Sequence, residues 1–287
     1  MDDLHTKVLD WYDAAARDLP WRRPEASPWS VMVSEFMLQQ TPVSRVLPVH
    51  EAWLERWPRP AALAAEEAGE AVRAWGRLGY PRRALRLHAA AVAIVAEHGG
   101  EVPDDRETLL SLPGVGDYTA AAIAAFAFGQ RQVVLDTNVR RVFARVIEGE
   151  EFPPTSVRRA ERDLAARLLP DDVPTAATWS VAVMELGALV CTSSNPTCGG
   201  CPISDQCAWL EAGRPAYDGP PRKVQTYAGT DRQVRGRLLG VLRDAPGRVP
   251  KARLDQAWHE PVQRERALQS MLDDGLVVQH GDLYALP

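Results

Sequence analysis

No run of about eighteen apolar residues occurs anywhere in this 287-residue chain, which excludes a membrane-spanning helix. The start, "MDDLHTKVLDWYDAAARDLPW", is acidic and amphipathic without an apolar core stretch, so it does not read as a signal peptide. Strand patterning is nearly absent before residue 270, which excludes a sheet-based catalytic domain. Lysine is scarce, at positions 7, 223 and 251 only. Cysteine is missing everywhere except "CTSSNPTCGGCPISDQC", where Cys191, Cys198, Cys201 and Cys207 fall within 17 residues. Clustered thiols in a chain without a secretory signal point to metal binding in a reducing compartment, and hence to the cytoplasm.

What is present is ordinary for a globular protein: 46% hydrophobic and 25% charged residues, with a net charge of −5. That total gives no bulk reason to expect nucleic acid, but the distribution is uneven. Acids gather in "AAEEAGE" (64–70), "EVPDDRE" (101–107) and "EGEE" (148–151), while "RLGYPRRALR" (77–86) and "NVRRVFAR" (138–145) hold arginine without acid. Such basic runs read either as solvated helix faces or as nucleic-acid contacts.

Helical periodicity dominates, with apolar residues repeating at three and four in "LHTKVLDWYDAAAR", "PVSRVLPVHEAWLERW", "YPRRALRLHAAAVAIVAEHG" and "AATWSVAVMELGALV". Thr41 before Pro42 reads as an N-cap with proline at the first helical position, and Gly99-Gly100 as a helix stop. Residues 1–212 read as one all-α unit, and 213–230, rich in Pro and Gly, as a linker. Residues 231–287 read as three helices and a hairpin around His280-Gly281-Asp282, a small winged-helix-like domain. The stretch 214–237 is net basic with two tyrosines, which suits DNA contact or a stabilising cap equally.

"LPGVGDYTAAAIAAFAFG" (112–129) reads as a helix end, a Gly114-Val115-Gly116 turn and a second, alanine-rich helix. Glycines there allow positive φ and close approach to a ligand, and a helix start offers N–H groups to phosphate, so the turn suits a DNA backbone. A plain helix–turn–helix connection is the alternative. Asp136 follows an apolar run and opens another helix, where capping is its simplest role. Four thiolates by themselves suit zinc or an iron–sulfur cluster.

Hairpin, alanine-rich helix and an aspartate about twenty residues on resemble the helix-hairpin-helix DNA glycosylases. The spacing C-x6-C-x2-C-x5-C is similar to the [4Fe–4S] loop of their iron–sulfur branch, so the resemblance implies that cofactor on Cys191, Cys198, Cys201 and Cys207. "LPWRRPEASPWSVMVSEFMLQQTPV", "WGRLGYPRRALRLH", "LPGVGDYTAAAI", "LDTNVRRV" and "MELGALVCT" resemble the MutY-type adenine DNA glycosylases over about residues 8–210.

That resemblance implies an enzyme releasing adenine paired with 8-oxoguanine or guanine in double-stranded DNA, working as a monomer, with no membrane partner. It assigns Glu35 to protonate the adenine and Asp136 to oppose positive charge on the sugar, with Tyr118 and Asn138 holding Asp136. Trp21, Arg22 and Glu185 match positions lining the adenine pocket. Gln40, Thr41, Leu78 and Tyr80 fall on the two loops that fill the gap in the duplex. Gly114, Val115 and Gly116 are expected to contact the DNA backbone. Tyr118 also stands where lyase members carry lysine, so strand cleavage is not expected. The helix dipole at Asp136 is expected to favour its anion. Pro81 stands where a second aromatic often follows Tyr80, and residues 231–287 are too few for the Nudix-like domain of long relatives. Two further readings remain: a thymine or uracil mismatch glycosylase on the same scaffold, and a non-catalytic iron–sulfur DNA-binding protein.

Overall fold

A computed structural model describes residues 2–220 and 227–287. The chain begins with α1 (Asp2–Ala15), α2 (Pro28–Leu38), α3 (Val43–Arg56), α4 (Pro60–Ala64) and α5 (Ala68–Trp75). It continues through α6 (Arg82–Glu97), α7 (Arg106–Ser111), α8 (Asp117–Phe128), α9 (Thr137–Phe143) and a π-helical turn, Ala144–Glu148. Next come α10 (Arg159–Leu168), α11 (Val173–Leu189) and α12 (Ala208–Glu211). The C-terminal segment holds α13 (Asp231–Asp244), β1 (Val249–Pro250), α14 (Lys251–Asp255), α15 (Pro261–Asp273), β2 (Val278–His280) and β3 (Leu283–Ala285). Among the described residues no helix is long and apolar enough to cross a membrane.

Two compact units cut across chain order. The first comprises Met1–Met32, Asp104–Leu110 and Val115–Pro221, and the second Val33–Pro103, Ser111–Gly114 and Arg222–Pro287. Packing therefore groups the C-terminal segment with residues 33–103, whereas the linear division at 212 and 231 treats it as separate. Part of the expected linker, 221–226, lies outside the described residues.

Within the first unit, α1, α9 and α11 share a core of Leu4, Val8, Val139, Val142, Trp179 and Leu186. Leu4 and Val8 are one turn apart on α1, which is why its amphipathic repeat turns that face inward. His5 joins α1 to its surroundings twice, its Nε2 donating to Leu168 O at 2.8 Å and its ring standing edge-on to Trp179 at 4.6 Å. Aspartate sets the start of α11: the Asp172 carboxylate accepts the Thr175 N–H at 3.0 Å.

The second unit is built around tryptophan. Trp53, Trp57 and Trp75 are fully buried, with edge-on ring contacts at 4.6 and 5.8 Å. Each such side chain contributes roughly 2–3 kcal/mol of burial free energy. Helix α6 ends as its sequence indicates, with the His98 and Gly100 N–H groups both donating to Ile94 O at 3.0 Å while Gly99 and Gly100 take positive φ. Thr41 departs from expectation. Pro42 is the N-cap of α3 and makes no side-chain cap bond, because the Thr41 hydroxyl is engaged elsewhere.

The C-terminal segment runs helix, strand, helix, helix and a terminal hairpin. Strand β1 was not evident in the sequence, where Val249–Pro250 read as helical; it pairs antiparallel with β3, giving the strand order β1-β3-β2.

Gly187 on α11 lies against Asn138 of α9. A Cβ there would lie 2.7 Å from Asn138 Cβ and 3.0 Å from Asn138 O. Gly187→Ala is therefore expected to destabilise the fold by about 1–3 kcal/mol despite alanine's higher helix propensity. Denaturant midpoints at equal m-value check this, and an unchanged or raised midpoint would show that the helices accommodate a methyl group.

Candidate active site

Asp136 caps α9. Its Oδ1 accepts the Val139 N–H at 2.7 Å, so the capping role read from sequence is present. Its other oxygen accepts from Asn138 Nδ2 at 2.8 Å. Asn138 is held in turn by Arg141, whose Nη2 donates to Asn138 Oδ1 at 2.8 Å and to Gly187 O at 2.6 Å. The carboxylate is thus fixed at the end of a three-residue chain of hydrogen bonds. Burial raises the Asp136 pKa, and the bonds from Val139 and Asn138 only partly oppose that rise. The helix start does not win as expected: desolvation outweighs it.

Glu185 on α11 is buried and fully engaged. Arg17 donates to it through Nε at 2.7 Å and Nη2 at 2.6 Å, and Arg22 through Nη2 at 2.9 Å. These two guanidiniums overcome desolvation and hold the carboxyl down at about 2. Arg22 Nη1, also buried, has no hydrogen-bond partner among the described residues. Trp21 beside it is buried, and Tyr118 on α8 is half-buried. Arg17 was missed in the sequence, where an arginine after an alanine run gives no sign of its partner.

In the second unit, Glu35 sits on α2 and is buried at 4% exposure, with Val33, Phe36 and Met37 buried beside it. Gln40 and Tyr80 are exposed and adopt φ of +55° and +47°, the only non-glycine residues of their two loops in the left-handed region. Such conformations cost about 1–3 kcal/mol and persist only when the surroundings enforce them. Arg83 does so. Its Nη1 donates to Phe36 O at 2.9 Å, Met37 O at 3.2 Å and Gln39 O at 2.5 Å. Its Nη2 donates to Thr41 Oγ1 and Gly79 O, both at 3.1 Å. One guanidinium therefore ties both loops to the carboxyl end of α2, and burial pushes it down to about 10. Thr41 and Leu78 are buried within this clamp, the threonine hydroxyl donating to Leu78 O at 3.3 Å, so they brace the loops from inside.

Gly114 takes φ +82°, and a Cβ there would strike the Arg86 side chain at 2.7 Å. Gly116 does not share this. It is the extended N-cap of α8, at φ −108° and ψ −179°, a conformation open to any residue. Val115 between them is buried. At the head of α8, Asp117 is neutralised by Arg106 at 2.9 Å and Arg162 at 3.4 Å.

The basic runs are neither solvated faces nor DNA patches throughout. In "NVRRVFAR", Arg140, Arg141 and Arg145 are all buried. Arg145 donates to Glu151 O at 3.0 Å, Thr192 O at 2.8 Å and Cys191 Sγ at 3.4 Å, and lies over the Trp209 ring at 4.7 Å. The π-helical turn presents it to the cysteine loop, where Cys191, Cys198, Cys201 and Cys207 line one cavity with Val142, Leu186 and Ile203. Burial pushes the Cys201 thiol up to about 11, with the other three cysteines adding to the rise. Cationic iron or zinc would reverse that penalty, so the donor set fits a thiolate-ligated group. Among the described residues no set of three or more His, Cys, Asp or Glu is placed to hold a metal ion.

A helical scaffold with a glycine turn before α8 and a capped, desolvated aspartate opening α9 defines a helix-hairpin-helix protein. Comparison with known proteins agrees, for residues 33–166 match the family described as HhH-GPD superfamily base excision DNA repair protein. The chain is 57% identical over 277 residues to the adenine DNA glycosylase of Mycolicibacterium smegmatis, covering 96% of this chain and 93% of that one. It is 42% identical to the human adenine DNA glycosylase over 209 residues, 70% of this chain and 38% of the human one. A solved thermostable thymine-DNA glycosylase superposes with a TM-score of 0.66 at 26% identity, covering 73% of this chain and 95% of that structure. The chain belongs to the HhH-GPD superfamily of base excision DNA repair proteins.

The Glu185 pKa, depressed in the fold, contributes stability that is complete above the ordinary glutamate value and lost as pH falls toward about 2. Glu185→Gln is expected to cost roughly 2–3 kcal/mol at pH 7, leaving two guanidiniums unmatched. The gap to wild type should close between about pH 4.5 and pH 2. Stability against urea across that range checks it; a gap independent of pH would show that packing, not the ion pair, is lost.

Proposed function

We propose that this chain is an adenine DNA glycosylase, hydrolysing the N-glycosidic bond of adenine paired with 8-oxoguanine or guanine. The observation that carries the reading is 57% identity across nearly the whole chain to a protein of that name. Identity to a protein named thymine-DNA glycosylase is lower, at 33% over 214 residues.

Adenine is a poor leaving group as an anion, so release requires a proton on the base and a counter-charge for the sugar. Glu35 takes the first role, delivering a proton to N7. Asp136 takes the second, its carboxylate opposing the oxocarbenium-like sugar while water completes the displacement, a division known from paired-carboxylate glycosidases. The Arg141–Asn138 relay holds Asp136 in orientation. Tyr118 joins it as a further positioning group. Arg22, with Nη1 buried and lacking a partner, offers a donor to the extruded purine, with Glu185 fixing the guanidinium and Trp21 packing beside it. Extrusion itself costs a few kcal/mol, offset by Gln40 and Tyr80 in the vacated stack, on loops braced by Thr41 and Leu78. Gly114, Val115 and Gly116 approach the phosphate backbone.

Cys191, Cys198, Cys201 and Cys207 are read as ligands of a [4Fe–4S] cluster. The spacing C-x6-C-x2-C-x5-C, shared with the iron–sulfur branch of the family, and the one cavity that all four thiols line support a cluster over a lone zinc. When bound the cluster braces its loop, and Arg145 supplies a fixed positive charge beside Cys191. Neither described lysine offers a free amine for a lyase step: Lys7 is paired with Asp205 at 2.7 Å and Lys251 with Asp255 and Glu265, while Lys223 lies outside the described residues. The proposed enzyme works as a monomer on double-stranded DNA, in the cytoplasm or nucleoid.

Duplexes carrying A:8-oxoG, A:G, T:G and U:G, end-labelled and treated with protein and then alkali, test the reading. Breaks at adenine only, and only after alkali, are expected. Breaks at thymine or uracil would make it a mismatch pyrimidine glycosylase, and none at any base would leave a non-catalytic DNA-binding protein.

A further inference from the structure

One wall of a large cleft in the second unit is α13; the other carries Gln40 and Tyr80. Ten arginines line it against a single acid, Asp244. Several are consumed by the fold. Arg83 serves the loop clamp, Arg243 donates to Gly76 O, and Arg82 and Arg235 share Asp274. The side chains of Arg77, Arg86, Arg237 and Arg253, all exposed, have no ion-paired or hydrogen-bonded partner among the described residues. Four uncompensated guanidiniums converging on one cleft are a footprint for a polyanion.

The same cleft holds two exposed rings, Tyr80 at 43% and Tyr227 at 51%. The Arg232 guanidinium lies 5.4 Å from the first ring and 5.5 Å from the second. Two rings and the flat cation over them offer faces on which a planar base can stack. Gly236 and Gly240, one turn apart on α13, also line the cleft. Mid-helix glycine costs about 1 kcal/mol relative to alanine. Packing does not require it at Gly240, where an added Cβ would meet nothing within 4 Å, and at Gly236 only the Tyr227 hydroxyl is near, at 3.1 Å. At these two positions α13 presents bare backbone to the cleft, between its arginines.

Helix α13 is also fixed to the segment that bears Tyr80. Arg73 on α5 donates to the carbonyls that end α13, including Ala245 O at 2.9 Å, and Arg82 reaches Asp274 at 3.1 Å. The cleft is therefore preformed.

We propose that this cleft binds the DNA strand opposite the excised base, its free arginines neutralising phosphates and Tyr227 joining Tyr80 as a stacking platform for the purine left without a partner. The proposal rests on the adenine glycosylase reading and extends it to the C-terminal segment, which becomes part of the substrate surface. The free arginines act on any sequence; the two rings favour a duplex with an unpaired base.

Fluorescence anisotropy of the full chain, on an A:8-oxoG duplex and a fully paired one over a range of KCl, tests it, alongside alkali cleavage by the wild type. The Arg237→Ala/Arg253→Ala double variant should lower the slope of log affinity against log salt by about 2 on both duplexes. Tyr227→Ala should leave the slope intact and weaken binding roughly tenfold on the A:8-oxoG duplex alone, with Tyr227→Phe restoring it. Variants with wild-type slope and affinity, in a protein whose wild type cleaves at adenine, would overturn the cleft and leave the enzyme reading standing. A wild type without adenine cleavage, in which the arginine pair still lowers the slope, would overturn the enzyme reading and keep the cleft's affinity for DNA.

Discussion

A charge removed from water must be matched, and that requirement organises this protein more than any other. Its buried cations are matched by backbone carbonyls or carboxylates. Arg83 takes loop and helix-end carbonyls, Arg145 the carbonyls of the cysteine loop, and Arg140 the carboxylate of Glu161 at 2.7 Å. Matching by carbonyl is directional, so each arginine fixes the position of the backbone it reads. Loops that would otherwise be mobile become parts of a rigid frame.

Buried carboxylates follow the same rule with a revealing difference. Glu185 is overmatched by Arg17 and Arg22 and held ionised; Asp136 receives backbone N–H groups and the Asn138 amide, and burial still raises its pKa. An anion kept partly unsatisfied is strained toward any positive charge brought near it. In the proposed chemistry that charge is the sugar at the moment the base departs, so incomplete solvation in the free protein becomes stabilisation of the transition state.

Much of the helical scaffold was legible. Period, caps and stops placed α1, α3, α6 and α11, and the Gly99-Gly100 stop and Asp136 cap were read from local chemistry that local structure obeys. What escaped depended on long-range partners. Thr41 looked like a cap because a threonine before proline usually is one, yet its hydroxyl serves Arg83, 42 residues away. Arg83 carried no signal because a basic run looks the same whether it faces water or a set of carbonyls, and Arg17, alone after an alanine run, gave no sign of Glu185. Gly114 and Gly116 looked equivalent, and only Gly114 needs its missing side chain. The compact units were also hidden, since helices 33–103 and the C-terminal segment meet in space without any trace in local composition.

In the proposed reaction two acids hold separate tasks, Glu35 giving a proton to the base and Asp136 opposing charge on the sugar. Single-turnover release of adenine from an A:8-oxoG duplex by Glu35→Gln and by Asp136→Asn, with duplex affinity measured in parallel, tests this most directly. Loss of at least about a hundredfold in rate for each, with affinity nearly unchanged, is the expected result. Either variant releasing adenine at close to the wild-type rate would contradict it.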